Sequence, residues 1–142
     1  MVDTRTAVGV VALTEEHEVY LVGQYRYPTK HYSWEIVEGG SEDGEDPKVT
    51  AGRELEEEAG LIATNLQKLG NEIHLSNCFS SERAVFYLAQ GLRQVKAKPD
   101  ATEVLALRKV ALKEAIRMVK SGEIKDAMSI VALYRVEERL NS

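Results

Sequence analysis

Four glutamates lie within five consecutive positions of the chain, in the stretch GRELEEEAGL at residues 52–61. Residues three and four apart share one face of a helix, so Glu54, Glu57 and Glu58 are expected to converge, while Glu56 points away. We call these three residues the glutamate face. Carboxylate oxygens are hard ligands that suit Mg²⁺ or Mn²⁺ better than zinc. The spacing therefore has two interpretations: a divalent-metal site, or a charged helix face that is only solvated.

The segment before this helix, GGSEDGED at residues 39–46, is rich in glycine. Gly39 and Gly40 allow the backbone to approach a phosphate closely, and the dipole at a helix N-terminus favours anions. Arg53 can pair with a carboxylate of the glutamate face and hold its rotamer. A carboxylate-rich face close to a phosphate-accepting loop favours pyrophosphate chemistry over simple solvation.

The acidic helix has clear ends in the sequence. Asp46 is a favoured N-cap, Pro47 is favoured at the first helical position, and Gly60 is a natural C-terminal residue, so the helix is expected over residues 47–59. Its apolar residues that can face the core are Val49, Ala51 and Leu55.

The remaining elements follow from hydrophobic patterning. Strands are expected at residues 7–13, 18–26, 32–37, 83–90 and 104–110, the first two joined as a hairpin by the turn TEEH. Two helices are expected at residues 112–122 and 126–140. The order β-β-β-α-β-β-α-α predicts an α/β fold with a mixed sheet and helices packed on its faces.

Composition narrows the class of protein. A chain of 142 residues suits one domain, and a formal charge of −5 offers no general basic surface for nucleic acid. The single Cys78 excludes an internal disulfide, and the three scattered histidines do not suggest a zinc site. No stretch approaches the ~20 apolar residues of a membrane helix, and the N-terminus lacks a signal-peptide pattern. We therefore expect a cytoplasmic, single-domain protein over residues 1–142.

Taken together, these residues resemble the Nudix box, in which a glycine is followed after five residues by a glutamate. Seven residues later comes R-E-apolar-x-E-E-x-G-apolar. Gly39, Glu45 and the run from Arg53 to Leu61 fill every fixed position. The resemblance implies a Nudix fold, a mixed sheet sandwiched between helices, and metal-dependent hydrolysis of a nucleoside diphosphate linked to another moiety.

The resemblance also implies roles for individual residues. The glutamate face would bind Mg²⁺, with Mn²⁺ as an alternative, and the backbone carbonyl of Glu38 would be a further ligand. Glu45 and Arg53 would support these ligands. In-line attack of water on one phosphorus would release a nucleoside monophosphate.

The stretch QYRYPTKHYSWEIVEGG is similar to the segment before the box in ADP-ribose and ADP-sugar pyrophosphatases. This similarity implies that Arg26 binds substrate phosphate. The alternative is that Arg26 is an ordinary surface arginine at a strand end. Trp34 and Tyr27 are open to two interpretations, base stacking or sheet core.

Two later segments are also similar to that group. FSSERAVFYLA implies that Glu82 lies near the active site and touches metal or substrate; an edge salt bridge is the alternative. PDATEVLALRKV implies that Glu103, or less strongly Asp100, is the general base that accepts a proton from the attacking water. The alternative for both is an acid on a solvated loop.

Two departures from this group affect the expected substrate. Its members usually carry an additional N-terminal β domain that helps to bind the base, and only about six residues precede the first predicted strand here. Glu38 also stands where the group usually has a small or apolar residue. We therefore expect a broader nucleoside diphosphate sugar hydrolase rather than a strict ADP-ribose enzyme, and any homodimer would form through another surface.

Three rivals stay open at this stage. The chain could be a housecleaning nucleoside triphosphate or dinucleoside polyphosphate hydrolase. It could be an RNA 5′-end pyrophosphohydrolase, although the acidic balance provides no basic track for RNA. It could also be a non-catalytic sensor that binds a nucleotide sugar without turnover.

Overall fold

A computed structural model describes residues 5–26, 31–75, 82–95 and 106–142, and for residues 24–26 and 31 the backbone alone. The strands are β1 Thr6–Ala12, β2 Glu18–Arg26, β3 His31–Glu35, β4 Val37–Gly40, β5 Leu61–Lys68, β6 Ile73–His74, β7 Arg83–Gln94 and β8 Ala106–Ala111. The helices are α1 Pro47–Ala59, α2 Leu112–Ser121 and α3 Ala127–Leu140. The mixed α/β architecture expected from the sequence is confirmed.

The strands form two sheets. The first has the order β4-β1-β7-β5, with β6 also paired to β7, and the second has the order β3-β2-β8. The pairing of β1 with β7 is parallel, and the other named pairs are antiparallel. Strand β1 is thus central in the first sheet and holds β4, the strand that leads into the glycine-rich loop.

The predicted hairpin between β1 and β2 is wrong. A tight turn is present, in which Thr14 N–H donates to Glu18 O at 2.8 Å, but the two strands share only the bridge between Leu13 and Val19. Beyond that bridge β1 and β2 enter different sheets. The β-branched sequence of β1 suits a strand with two neighbours, and those neighbours come from residues far along the chain.

The strand expected at residues 32–37 is two strands. Strand β3 pairs with β2 in the second sheet, and β4 pairs with β1 in the first. Ile36 lies between them and is 1% exposed, so the chain passes from one sheet to the other through the core. Strands β5 and β6 were not predicted from the sequence.

The core has two parts, one on each face of the first sheet. Val8, Val10 and Ala12 of β1 pack in one cluster with Ala51, Leu55 and Ala59 of α1. The other cluster contains Val11 of β1 together with apolar residues of α2 and α3. Helix α1 therefore covers one face, and α2 and α3 cover the other.

The ends of α1 are those expected from its capping residues. Asp46 accepts a hydrogen bond from Lys48 N–H at 2.8 Å, and Gly60 closes the helix in the left-handed region at φ 65°. The prediction that Val49 faces the core is wrong, because its side chain is 59% exposed. It lies about 200° around the helix from the buried Ala51. None of the described helices is both long and apolar enough to cross a bilayer.

Candidate active site

Helix α1 and strand β4 meet at the glutamate face. Strand β4 is held by its ladder with β1, in which Gly39 pairs with Val8. A Cβ added to Gly39 would lie 2.5 Å from Glu54 Oε1 and still closer to two carbons of the same side chain. Only glycine therefore allows β4 to approach Glu54 this closely. A Cβ on Gly40 would meet nothing within 4 Å.

Arg53 organises the groups around it. Its Nε donates to Glu45 Oε2 at 3.0 Å and its Nη2 to Glu45 Oε1 at 2.9 Å, which makes the pair bidentate. The Nη2 also donates to the backbone oxygen of Gly40 at 3.2 Å. The Nη1 reaches Glu54 Oε1 at 2.9 Å and Glu57 Oε2 at 3.5 Å. One side chain thus connects the glycine-rich loop to two members of the glutamate face.

Glu45 is a strongly stabilised carboxylate. Hydrogen bonds from Arg53, then from Thr50 and from Glu42 N–H, lower the pKa of Glu45 to about 2. The same pairing raises the pKa of Arg53. The two groups therefore stay charged together over the whole neutral range.

The members of the glutamate face differ in their surroundings. Glu54 is 14% exposed, and burial raises its pKa while Arg53 opposes that shift. Glu57 is 53% exposed. Glu58 is partly buried, and its Oε2 accepts from Glu38 N–H at 3.3 Å. Glu58 therefore touches the strand residue whose carbonyl was predicted to bind metal.

The donor set of the glutamate face fits a hard divalent cation. It offers three carboxylates from one helix turn and no sulfur or imidazole. The carboxylate oxygens of the glutamate face lie farther apart than those of a second acidic group nearby. Arg53 pulls Glu54 and Glu57 toward the loop, whereas Glu58 turns to Glu38 N–H.

That second group consists of Glu35, Glu38 and Asp126, which each place one oxygen within 4.8 Å of the others; among the described residues it is the one set of this kind. Burial, followed by the hydrogen bond with Asp126, raises the pKa of Glu38 to about 10. Glu38 is therefore neutral at pH 7 and donates to its neighbour, so a shared proton relieves the repulsion in this group.

Ser129 ties this acidic group to α3. Its hydroxyl lies 3.1 Å from Glu38 Oε2 and 2.8 Å from Asp126 Oδ2, and it accepts from Ile36 N–H at 3.0 Å. Asp126 also caps α3, because its Oδ2 accepts from Ser129 N–H at 2.9 Å. The start of α3 and the passage from β3 to β4 are thus joined by buried hydrogen bonds.

A cleft of about 580 Å³ opens beside β4. The residues that line it include Arg5, Glu35, Glu38, Gly39, Gly40 and Glu82. Arg5 is the one basic residue among the described residues of its wall. The backbone oxygen of Glu82 accepts from Leu75 N–H at 3.2 Å, which fixes this part of the wall.

Most of the site residues predicted from the sequence lie together. Arg53 contacts Glu54, Glu57 and the backbone of Gly40. Glu58 contacts the backbone of Glu38, Gly39 lies against Glu54, and Glu82 lies on the wall of the cleft. The side chain of Arg26, and Glu103 and Asp100 entirely, fall outside the part of the chain that the structure describes. Their roles stay predictions.

Sequence reasoning missed the small polar residues Thr50, Ser41 and Ser129. The signal for Thr50 was slight: it lies about 100° around the helix from Ala51, at the edge of the face that Ala51 and Leu55 bury. A hydroxyl at such a position needs a partner. Ser129 carried a weaker signal, as the third residue of α3 after the capping Asp126.

Comparisons with known proteins agree with this arrangement. A sequence model described as the NUDIX domain matches residues 3–131. The ADP-ribose pyrophosphatase of Bacillus subtilis (strain 168) is 36% identical over 133 residues, which cover 92% of this chain and 71% of that protein. The ADP-ribose pyrophosphatase of Mycobacterium tuberculosis is 35% identical over 134 residues, covering 92% of this chain and 64% of that one. A crystal structure of an ADP compounds hydrolase superposes with a TM-score of 0.86 at 26% identity, covering 96% of this chain and 73% of that one.

Proposed function

This chain belongs to the Nudix family, and we propose that it is a metal-dependent pyrophosphohydrolase of nucleoside diphosphate sugars such as ADP-ribose. Its products would be a nucleoside monophosphate and a sugar phosphate. The observation that carries the proposal is the complete box folded against β4, with Glu54 lodged on Gly39 at the edge of a cleft. The substrate class is supported by the names of relatives at 35% and 36% identity over most of this chain.

The glutamate face, together with the backbone carbonyl of Glu38, would hold Mg²⁺, with Mn²⁺ as an alternative. The contact between Glu38 N–H and Glu58 supports this assignment, because it brings the backbone of β4 to the helix. Arg53 would fix the rotamers of Glu54 and Glu57. A cation held there supplies charge neutralisation for the diphosphate and favours ionisation of the attacking water.

The chain's own groups would bind and orient the substrate. Gly39 and Gly40 would let the diphosphate approach the loop backbone, since neither carries a side chain over the cleft. Arg26 would bind phosphate, Glu82 would contact metal or substrate from the cleft wall, and Glu103 would accept the proton of the attacking water. Positioning of this kind accounts for a large part of the rate in such hydrolyses.

The type of substrate, the cellular location and the domain organisation are proposed from the sequence. The substrate would be a small-molecule nucleotide rather than nucleic acid, and the protein would act in the cytoplasm as one domain over residues 1–142. A homodimer stays a prediction.

A substrate panel tests the activity. The purified protein is assayed in Mg²⁺ and in Mn²⁺ with ADP-ribose, GDP-mannose, UDP-glucose, nucleoside triphosphates and diadenosine polyphosphates. We expect cleavage of a nucleotide sugar to the monophosphate. Release of pyrophosphate from triphosphates, with every nucleotide sugar left intact, would favour the housecleaning alternative instead.

A pair of substitutions tests the metal assignment. Glu58→Gln removes a charge from the glutamate face and should lower kcat by several orders of magnitude. Glu56→Gln, on the exposed side of the same helix, should leave kcat within about twofold of the wild type. If both variants kept full activity, Glu58 would not be a metal ligand. If instead the wild-type protein bound a nucleotide sugar in Mg²⁺ without turnover, it would be a sensor.

A further inference from the structure

Thr50 is a polar residue with no solvent exposure in the first turns of α1. Its Oγ1 lies 2.7 Å from Glu45 Oε1 and 2.6 Å from Ser41 Oγ. It lies 3.3 Å from the backbone oxygen of Asp46, four residues earlier. A hydroxyl has one proton to donate, so these three contacts cannot all be of the same kind.

The chemistry of the partners fixes the direction of the bonds. Glu45 is ionised and can only accept, so the Thr50 hydroxyl donates to it at 2.7 Å. The Ser41 hydroxyl must then donate to Thr50 at 2.6 Å. The longer contact with the Asp46 backbone oxygen is the local back-bond that a threonine in a helix commonly makes. The result is a hydrogen-bond relay that runs from Ser41 through the buried Thr50 to Glu45.

The relay acts on the atom that holds Arg53. Glu45 Oε1 accepts from Thr50, from Glu42 N–H at 3.1 Å and from Arg53 Nη2 at 2.9 Å. With three donors on one oxygen the carboxylate plane is fixed, and the other oxygen faces Arg53 Nε at 3.0 Å. The guanidinium is planar, so fixing two of its nitrogens also fixes Nη1, which bonds Glu54.

We infer that Thr50 is a positioning residue for the glutamate face, acting on Glu54 through Glu45 and Arg53. The inference rests on the proposed function, since it supposes that the glutamate face binds a divalent cation. Thr50 itself touches neither cation nor substrate. Its hydroxyl, rather than its bulk, carries the role.

The test measures Mn²⁺ binding to the full chain without substrate, by electron paramagnetic resonance of free Mn²⁺, together with kcat on ADP-ribose. Thr50→Val keeps the shape of the side chain and removes the hydroxyl; we expect Mn²⁺ affinity and kcat each to fall about tenfold. Thr50→Ser restores the hydroxyl and should return both to within about threefold of the wild type.

Thr14→Val is a matched control for the loss of one threonine hydrogen bond. Thr14 accepts from Glu18 N–H at 3.0 Å in the turn before β2, far from the site in the fold. The Thr14→Val substitution should lower the unfolding temperature without changing Mn²⁺ affinity. If Thr50→Val behaved in the same way, or if Thr50→Ser failed to restore binding, the inference would be overturned.

Two further variants keep the test decisive. If Thr50→Val did not fold, Ser41→Ala would replace it, and unchanged Mn²⁺ affinity in that variant would overturn the relay. Glu58→Gln separates this inference from the proposed function. Affinity lost in Glu58→Gln but kept in Thr50→Val overturns the relay alone, whereas affinity kept in both also overturns the metal assignment.

Discussion

Gly39→Ala should damage the proposed metal site while leaving the fold intact. The new Cβ would lie 2.5 Å from Glu54 Oε1, whereas ordinary contacts begin at 3.4 Å. The Glu54 carboxylate must therefore retreat by roughly 1 Å, and a misplacement of that size costs about 10²-fold in rate. Expressed as a barrier, this is about 2.7 kcal/mol. Because β4 is fixed to β1 by its ladder, the side chain moves rather than the strand.

The stability of Gly39→Ala should change little. The crowded atoms, Cγ, Cδ and Oε1, all belong to the one flexible side chain of Glu54, and alanine restricts the unfolded chain more than glycine does. We expect a change in the free energy of unfolding below about 1 kcal/mol. An enzyme that is stable but slow is thus the expected outcome, and it separates damage to the site from damage to the fold.

The assay measures kcat/KM on ADP-ribose, Mn²⁺ affinity without substrate, and urea unfolding. Gly40→Ala is the matched control for Mn²⁺ affinity and unfolding, because its Cβ would meet nothing within 4 Å and its carbonyl can still accept from Arg53. A Gly39→Ala variant with kcat/KM and Mn²⁺ affinity within twofold of the wild type would refute the reasoning. Equal losses of Mn²⁺ affinity in both variants would also refute it.

Two further predictions concern Arg53 and Glu38. Arg53→Lys loses the bidentate pair with Glu45, so kcat/KM should fall about 10- to 100-fold. The control is Arg117→Lys, which breaks an exposed bidentate pair with Glu114 elsewhere in the protein and should not change kcat/KM. Equal kcat/KM values for the two variants would contradict the positioning role of Arg53. For Glu38, burial raises the pKa from 4.5 to about 10, so its stabilising contribution is complete below pH 4.5 and is lost as pH rises toward 10. The side chain of Glu38→Gln cannot ionise, so the variant does not lose this contribution. Its free energy of unfolding minus that of the wild type should therefore increase by up to about 1.4 kcal/mol per pH unit between pH 5 and pH 9. Urea unfolding at several pH values measures this difference, with Glu56→Gln as the exposed control. If the free energy of unfolding changed with pH in the same way in Glu38→Gln and in the wild type, the Glu38 carboxyl would not hold its proton.

The parts of the structure that sequence predicted well are those fixed by local chemistry. Asp46 and Pro47 start α1, and Gly60 ends it, because capping depends on a few adjacent residues. The family motif sits on the same segment, so its residues could be placed before any fold was known. Gly122 likewise ends α2 in the left-handed conformation.

The parts that sequence did not predict depend on distant partners. Half of the residues of strand β5 are polar and half are exposed, and it is a strand because it pairs along β7, from Leu61 with Gln94 to Lys68 with Tyr87. The hairpin prediction failed for the same reason, since β1 takes β4 and β7 as neighbours instead of β2. Periodicity identifies a strand but carries little information about which strand lies beside it.

The roles of Thr50 and Val49 show the same limit on a smaller scale. Both lie in the first turn of α1, and hydrophobicity alone favours Val49 for the core. The packing of α1 on the sheet buries Thr50 instead and leaves Val49 exposed. The partner that makes this burial tolerable, Glu45, could be named from the motif, but its distance to Thr50 could not.

The hydrogen bonds of Ser129 have a consequence for the order in which the protein becomes active. Ser129 is 91 residues from Glu38 and 93 from Ile36 along the chain, and its hydroxyl contacts both. The ribosome makes the glutamate face well before Ser129, so the wall of the cleft beside it is completed only after α3 has been synthesised. Closing so long a loop is slow, and α3 cannot dock until it has left the ribosome. A nascent chain that has not yet exposed α3 therefore carries the whole motif without a complete cleft wall, and hydrolysis should begin only after α3 has docked.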